Sequence, residues 1–190
     1  MLSVDADPLR VEQLLNAGEL ECPRCSGVLT GWGHGRPRAL RGTLGSRLLL
    51  HPRRARCSRC GTTHILLSEL ALPRRADTVA VIGTALELVA AGRGHRPIAH
   101  ELGRHEATVR GWLRRFALCA PRVRALFALL LAELRIFLPE PNGTPTAAAV
   151  AAVLAAAHAR GQQFSTEVGS PWAFACRMSQ GKLLAAPEFL

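Results

Sequence analysis

Apolar positions change their rhythm twice along the 190 residues. Asp7-Pro8 predicts a short helix, with Asp7 as N-cap and Pro8 at the first helical position. Leu9, Val11, Leu14 and Leu15 supply its apolar side, and Gly18 ends it. Over 22–67 the helical period is lost. Short β-like runs remain at Val28–Trp32, Ala39–Arg41, Leu48–Leu50 and Ile65–Leu67, separated by glycines, which predicts a loop-rich β unit. From Asp77 the helical period returns. Val79, Ile82, Leu86 and Val89 predict a helix closed by Gly92 and Gly94, followed by two shorter helices at about 97–102 and 107–117. Pro121 is expected to open a longer one, in which Val123, Phe127, Leu130, Leu134 and Phe137 step by 4, 3, 4 and 3. Pro139–Pro145 reads as a linker. Beyond it lie an Ala-rich helix over about 146–160 and a last helix capped by Ser170-Pro171 and ended by Gly181.

The pattern predicts an α+β protein, mostly α. The expected division is an N-terminal helix (1–20), a small β unit (21–72), a helical domain (76–138), a linker (139–145) and a C-terminal helical segment of unassigned role (146–190). Met1–Glu12 has no apolar core of a signal peptide, and no apolar stretch reaches the roughly 18–20 residues of a membrane span. The expectation is a cytoplasmic protein with no membrane partner, where cysteines stay reduced.

Charge sharpens the picture. Lys and Arg number 24 against 14 acids, a formal charge of +10, which favours polyanionic partners. Its placement says more than its total, because Arg in an Ala- and Gly-rich chain partly reflects base composition. Residues 24–60 hold nine arginines and no acid. Arg36 and Arg38 would share one strand face, as would Arg54 and Arg56, forming a phosphate-contacting surface.

The same segment carries Cys22-Pro-Arg-Cys25 and Cys57-Ser-Arg-Cys60. Two CxxC turns deliver four thiolates, the donor set of a tetrahedral zinc site. Ser26-Gly27 and Gly61 follow the pairs closely and give the backbone freedom to turn its N–H groups toward sulfur. This arrangement resembles the zinc-ribbon family and implies one structural Zn2+ with no open coordination position. His64 is an alternative ligand in place of one cysteine. His34 and His51 are expected at the surface, and Cys119 and Cys176 as small buried apolar residues.

Ile98-Ala-His-Glu-Leu-Gly-Arg-His-Glu-Ala-Thr-Val-Arg-Gly-Trp-Leu-Arg-Arg-Phe116 resembles the helix-turn-helix family. Ile98, Leu102, Val109 and Trp112 occupy the positions that motif buries, Ala99 is small where its helices cross, and Gly103 lies in the turn. The resemblance implies that the second helix enters the major groove. His105, Glu106, Thr108 and Arg110 are then candidate base readers, and Arg96, Arg104, Arg114 and Arg115 candidate phosphate contacts. Gly111 departs from good helix chemistry at a cost of about 1 kcal/mol.

The sequence of motifs, CPRC, then RCSRCGTTH, then IAHELGRHEATVRGWLRRF, is similar to the amino-terminal half of insertion-sequence transposases. It is also similar to stand-alone zinc-ribbon helix-turn-helix proteins of actinobacterial mobile elements. That resemblance covers about 20–138 and implies double-stranded DNA as partner, with a transposase or integrase as a second one. It does not extend to catalysis: transposase chemistry needs three carboxylates holding two metal ions on a β-sheet, and after residue 138 only Glu140, Glu167 and Glu188 remain, with no β-rich run to hold them, so no enzyme activity is expected. Three readings stand at this point: a transposon-associated accessory or truncated transposase-like DNA-binding protein, a transcription regulator, and a zinc-dependent adaptor for protein or RNA. The 4-3-4-3 repeat over 121–138 would either pair two protomers or pack on the helical core.

Overall fold

In the computed structural model, which describes residues 1–137, 143–164 and 170–185, the chain is α+β and mostly α. It begins with strand β1 (Leu2–Val4) and helix α1 (Pro8–Asn16). The Asp7 carboxylate accepts from the Leu9 N–H at 2.9 Å, Pro8 opens the helix, and Gly18 at φ +71° follows its end. Val11 and Leu15 are buried, whereas Leu9 points to solvent.

The chain then builds β2 (Leu29–His34), β3 (Arg38–Arg41), β4 (Arg47–Leu50), β5 (Arg53–Cys57) and β6 (Thr63–Ser68). They form two sheets. One has the order β1-β6-β5-β2; the other is the β3-β4 hairpin. In the first, β2 pairs antiparallel with β5 (Leu29 opposite Cys57), β5 with β6, and β1 parallel with β6 (Leu2 opposite Leu66). Leu29, Ala55, Cys57 and Leu66 face inward and meet Val4, Val11 and Leu15. The expected separate N-terminal unit therefore does not exist: residues 1–20 supply a strand and a covering helix to the cysteine-bearing sheet.

The β3-β4 hairpin occupies the gap between the two CxxC pairs. It leaves the first sheet and packs Leu40 against Leu67 and Ala71, with Leu48 and Leu50 beside them. Arg41 N–H donates to Ala76 O at 2.8 Å and its carbonyl accepts from Thr78 N–H at 3.0 Å, tying the hairpin to the start of the helical half.

That half comprises α2 (Val79–Ala90), α3 (His95–Glu101), α4 (Glu106–Glu133), α5 (Pro145–Phe164) and α6 (Pro171–Met178). Thr78, not Asp77, caps α2, its hydroxyl accepting from Val81 N–H at 3.4 Å. The two helices expected at 107–117 and 121–138 are a single α4. Pro121 lies inside it, with Ala117 and Pro121 both exposed, so the carbonyl left without a partner faces water. Burial of Cys119, Ala120, Val123 and Phe127 on the opposite side offsets the roughly 3 kcal/mol an interior proline costs.

The 4-3-4-3 repeat is covered in part: Leu130 and Leu134 are half-buried, and Phe137, beyond the end of α4, is 88% exposed. Val123, Phe127 and Leu131 are fully buried against α5 and α6, and Phe127 meets Phe174 with ring centroids 6.0 Å apart. The inner side of α4 is thus covered by α5 and α6. Residues 145–164 and 170–185 are not a separate segment either. The small side chains Ala149, Ala152 and Ala156 let α5 approach its neighbours closely, and Trp172 enters the same core. Ser170 caps α6, and Gly181 at φ +74° follows it. Of the expected linker, 139–142 lie outside the described residues, as do Glu140, Glu167 and Glu188.

Candidate metal centre and basic helix face

The two CxxC turns have matching backbones. In each, the residue after the second cysteine takes a left-handed conformation: Ser26 at φ +54° and Gly61 at φ +69°. In each, a backbone N–H two residues after the first cysteine points at its sulfur, Arg24 to Cys22 and Arg59 to Cys57, both at 3.4 Å. Cys60 N–H adds a third such contact, also 3.4 Å from the Cys57 sulfur. Gly27 is required by close approach, because a Cβ there would lie 2.9 Å from Cys57 Sγ and 2.6 Å from Arg59 Cβ.

These turns bring Cys22, Cys25, Cys57 and Cys60 together with all four sulfurs within 4.8 Å of one another. Cys25 Sγ is 3.5 Å from Cys57 Sγ, and Cys22 Sγ is 3.8 Å from Cys60 Sγ. A tetrahedron with metal–sulfur bonds of about 2.3 Å has sulfur–sulfur edges of about 3.8 Å, so the residues fit one four-coordinate metal ion. Without a metal the thiols differ in acidity. Hydrogen bonds from the Thr62 side chain and backbone bring Cys60 down to about 6. Cys25 accepts a lowering hydrogen bond from the Gly27 backbone, but burial and the neighbouring thiols Cys57, Cys60 and Cys22 push it up to about 11.

His64 is not a member of the thiol set. It is buried beside it, with Nε2 3.3 Å from Cys22 Sγ and Nδ1 3.3 Å from the Met1 ammonium. The ammonium only donates, so Nδ1 accepts and the ring proton on Nε2 points at Cys22. Burial, then the ammonium charge, lower the imidazole pKa and keep the ring neutral. That is an outer-shell contact supporting a ligand sulfur. His34 and His51 are exposed, and Cys119 and Cys176 are buried, as expected.

In the helical half, α3 and α4 are joined by the four residues Leu102–His105. Gly103 takes φ +58° there. Ile98, Ala99, Val109 and Trp112 are buried between the helices, and Leu102 packs at the edge. His105 caps α4 through Nδ1, which accepts from Ala107 N–H at 3.2 Å. Glu106, Arg110 and Arg114 are exposed at helical spacing on one side of α4, and Thr108 is half-buried. Glu106 lies 3.4 Å from Arg96, whose side chain is 77% exposed. Arg115 turns back to donate to Gly111 O at 3.0 Å, and a Cβ on Gly111 would lie 3.0 Å from that same guanidinium nitrogen. Gly111 thus accommodates Arg115.

Arg104 is a correction. Its side chain is only 10% exposed, and its donors are used internally: on Asp77 at 2.5 Å, Gly42 O at 2.7 Å, Leu102 O at 3.0 Å and Gly103 O at 3.2 Å. Asp77, 2% exposed, also binds Arg41 at 2.7 Å. The trio locks the α3–α4 turn to the β3-β4 hairpin, and four of the five guanidinium N–H donors of Arg104 are used inside the fold, which makes it a positioning residue.

The other arginines divide. Arg54 and Arg56 share the outer side of β5, opposite the buried Ala55 and Cys57. Arg36 precedes β3 and is separated from it by Pro37, so it does not share a strand face with Arg38. Arg38 instead donates to Arg75 O at 2.7 Å. Arg74 and Arg75 were not among the expected site residues. Burial, then Arg115 and Arg74, lower the Arg75 pKa, and Arg75 Nε is buried with no hydrogen bond among the described residues. Arg38, Arg74, Arg75 and Arg115 thus bring cations from three elements together with no carboxylate paired to any of them among the described residues. The adjacent Arg74-Arg75 pair just ahead of α2 was the available signal.

Fold and site define an α+β protein in which a four-thiol cluster able to hold a metal ion is joined to a helical core. Residues 22–112 match the family described as Domain of unknown function (DUF6431). The match takes in both CxxC turns, the inserted hairpin and the α3–α4 turn, and stops in the second turn of α4. No curated protein and no solved structure matches the chain. No helix among the described residues is long and apolar enough to cross a membrane.

Proposed function

We propose that this protein is a zinc-stabilised, sequence-specific DNA-binding protein without a catalytic site, associated with a mobile element as an accessory or truncated transposase-like factor. The observation that carries the reading is the α3–turn–α4 unit, with Ile98, Ala99, Val109 and Trp112 buried inside and Arg110 and Arg114 exposed on α4. In this reading α4 enters the major groove by its first turns, Arg110 pairs with guanine, and Glu106 or Thr108 contacts a neighbouring base. Arg96, Arg114 and Arg115 reach phosphates, joined by Arg38, Arg74 and Arg75 from the adjoining cluster. His105 acts by capping α4. Zn2+ is the ion favoured by four thiolates, and its closed coordination makes it structural. The association with a mobile element rests on the order of the motifs alone.

The test is selection of bound duplexes from a random library with zinc-loaded protein at near-physiological salt. The expected result is a defined motif, with Arg110→Ala weakening binding about 5- to 150-fold and relaxing one position, as loss of a bidentate base contact does. Absence of enrichment by folded, metal-loaded protein would overturn the reading.

A further inference from the structure

The exposed side of the cysteine-bearing sheet carries an aromatic residue that the α4 reading does not use. Trp32 lies on β2, an edge strand, and is 50% exposed. The other two tryptophans, Trp112 and Trp172, are 3% and 2% exposed. Thr30 and Arg56 face each other across β2 and β5, and Trp32 continues that outward side. The Arg56 guanidinium lies over the indole, 5.0 Å from its centroid, and Arg56 Nε also donates to Gly61 O at 3.3 Å. Gly31 and Gly33 flank the indole with no side chain, and open space surrounds the position of a Cβ on Gly33. A half-exposed indole with a guanidinium over its ring is a stacking platform.

Its surroundings choose the occupant. Residues 24–60 contain no acid. Arg53 and Arg41 are paired with Glu12 and Asp77, but Arg54, Arg56 and Arg59 form no ion pair among the described residues. Phosphate charge complements this surface, and a flat π-face bordered by guanidinium complements a base. A duplex hides its base faces in its own stack, so the base must be unpaired. We infer that the outer side of β2 and β5 binds a nucleic-acid segment with an unpaired base, which stacks on Trp32 while Arg54, Arg56 and Arg59 hold its backbone. This is a second contact site, and it does not depend on what α4 reads.

Trp32 is its own reporter, being the exposed one of three tryptophans. The metal-loaded full chain is titrated with a 15-nucleotide oligo(dT) and, separately, with inorganic polyphosphate of similar charge, following tryptophan emission and affinity. Oligo(dT) is expected to quench the emission. Trp32→Ala abolishes the quench and weakens oligo(dT) binding at least about fivefold, the low end for one stacked base, while Trp32→Phe stays within about threefold. Polyphosphate binds without the quench and is indifferent to Trp32→Ala. Metal content and far-ultraviolet dichroism establish that both variants fold. The proposal is overturned if oligo(dT) does not bind, if Trp32→Ala binds it as the parent does, or if polyphosphate quenches equally. Arg110→Ala separates the two sites: it should weaken duplex binding and relax one position of the selected motif, and leave the oligo(dT) quench intact.

Discussion

Gly83 lies in the middle of α2, where helix propensity alone favours alanine by about 1 kcal/mol. The packing demands the opposite. A Cβ at Gly83 would lie 2.0 Å from Cδ1 and 2.1 Å from Cγ of Trp172. Trp172 cannot simply yield. It is 2% exposed, meets Phe116 edge-on at 6.3 Å, and donates Nε1–H to Glu87 at 2.6 Å. Overpacking costs about 1–3 kcal/mol, and displacing the indole adds about 1.5–3 kcal/mol for a hydrogen bond to a charged acceptor. Set against the propensity gain, Gly83→Ala should destabilise the protein by about 2 kcal/mol, or about 4–8 °C in Tm for a chain of this length. Urea unfolding followed by near-ultraviolet dichroism reads this directly. In a Trp172→Ala background the clash is gone, and the same substitution should stabilise by about 1 kcal/mol. A neutral or stabilising effect in the parent, or no change of sign in the background, would refute the reasoning.

Asp77→Ala should cost about 3 kcal/mol in urea unfolding, because it strands the nearly buried Arg104, while leaving metal content unchanged. Arg41→Ala, at the half-exposed end of the same trio, should cost less than about 1 kcal/mol. Chelation should unfold 22–67 and spare the helical core, since two of the eight buried residues beneath the sheet are cysteines of the metal cluster; loss of both in one transition would contradict this. Cys176, pushed by burial to about 12, should stay silent toward a thiol reagent until the helical core unfolds. Metal affinity should fall with acid, because protons compete for the thiolates, and loading should release protons measurable by calorimetry in buffers of different ionisation enthalpy.

The fold class and the thiol cluster were legible because each rests on local chemistry. A CxxC turn closes on itself, and an apolar period of 3.6 announces its helix. What was not legible depends on distant partners. β5 reads Arg-Arg-Ala-Arg-Cys, with only Ala55 and Cys57 to mark its inner side, and becomes a strand because β2 and β6 flank it. β1 is three residues long and exists only as the parallel neighbour of β6. Pro121 carries a strong local signal for a helix start, but the packing of Val123 and Phe127 overrode it. Arg104 looked like any other exposed arginine of a basic motif. Only the fold shows that Asp77, 27 residues earlier, is waiting for it. The role of 145–185 could not be read because an alanine-rich helix advertises no face; its partners select the sides that are buried.

The β3-β4 hairpin is tethered at both ends to the cysteine-bearing sheet and bolted near its tip to the turn that precedes α4. It therefore acts as a strut. The angle and separation between sheet and α4 are set before any ligand arrives, and association need not pay the entropy of freezing a jointed pair of modules. A strut of this kind also imposes a gauge: contacts made by the sheet and by α4 on one partner must fall at a constant interval, so lengthening or shortening that partner between the two contacts would cost whole contacts at a time and could not be absorbed by bending.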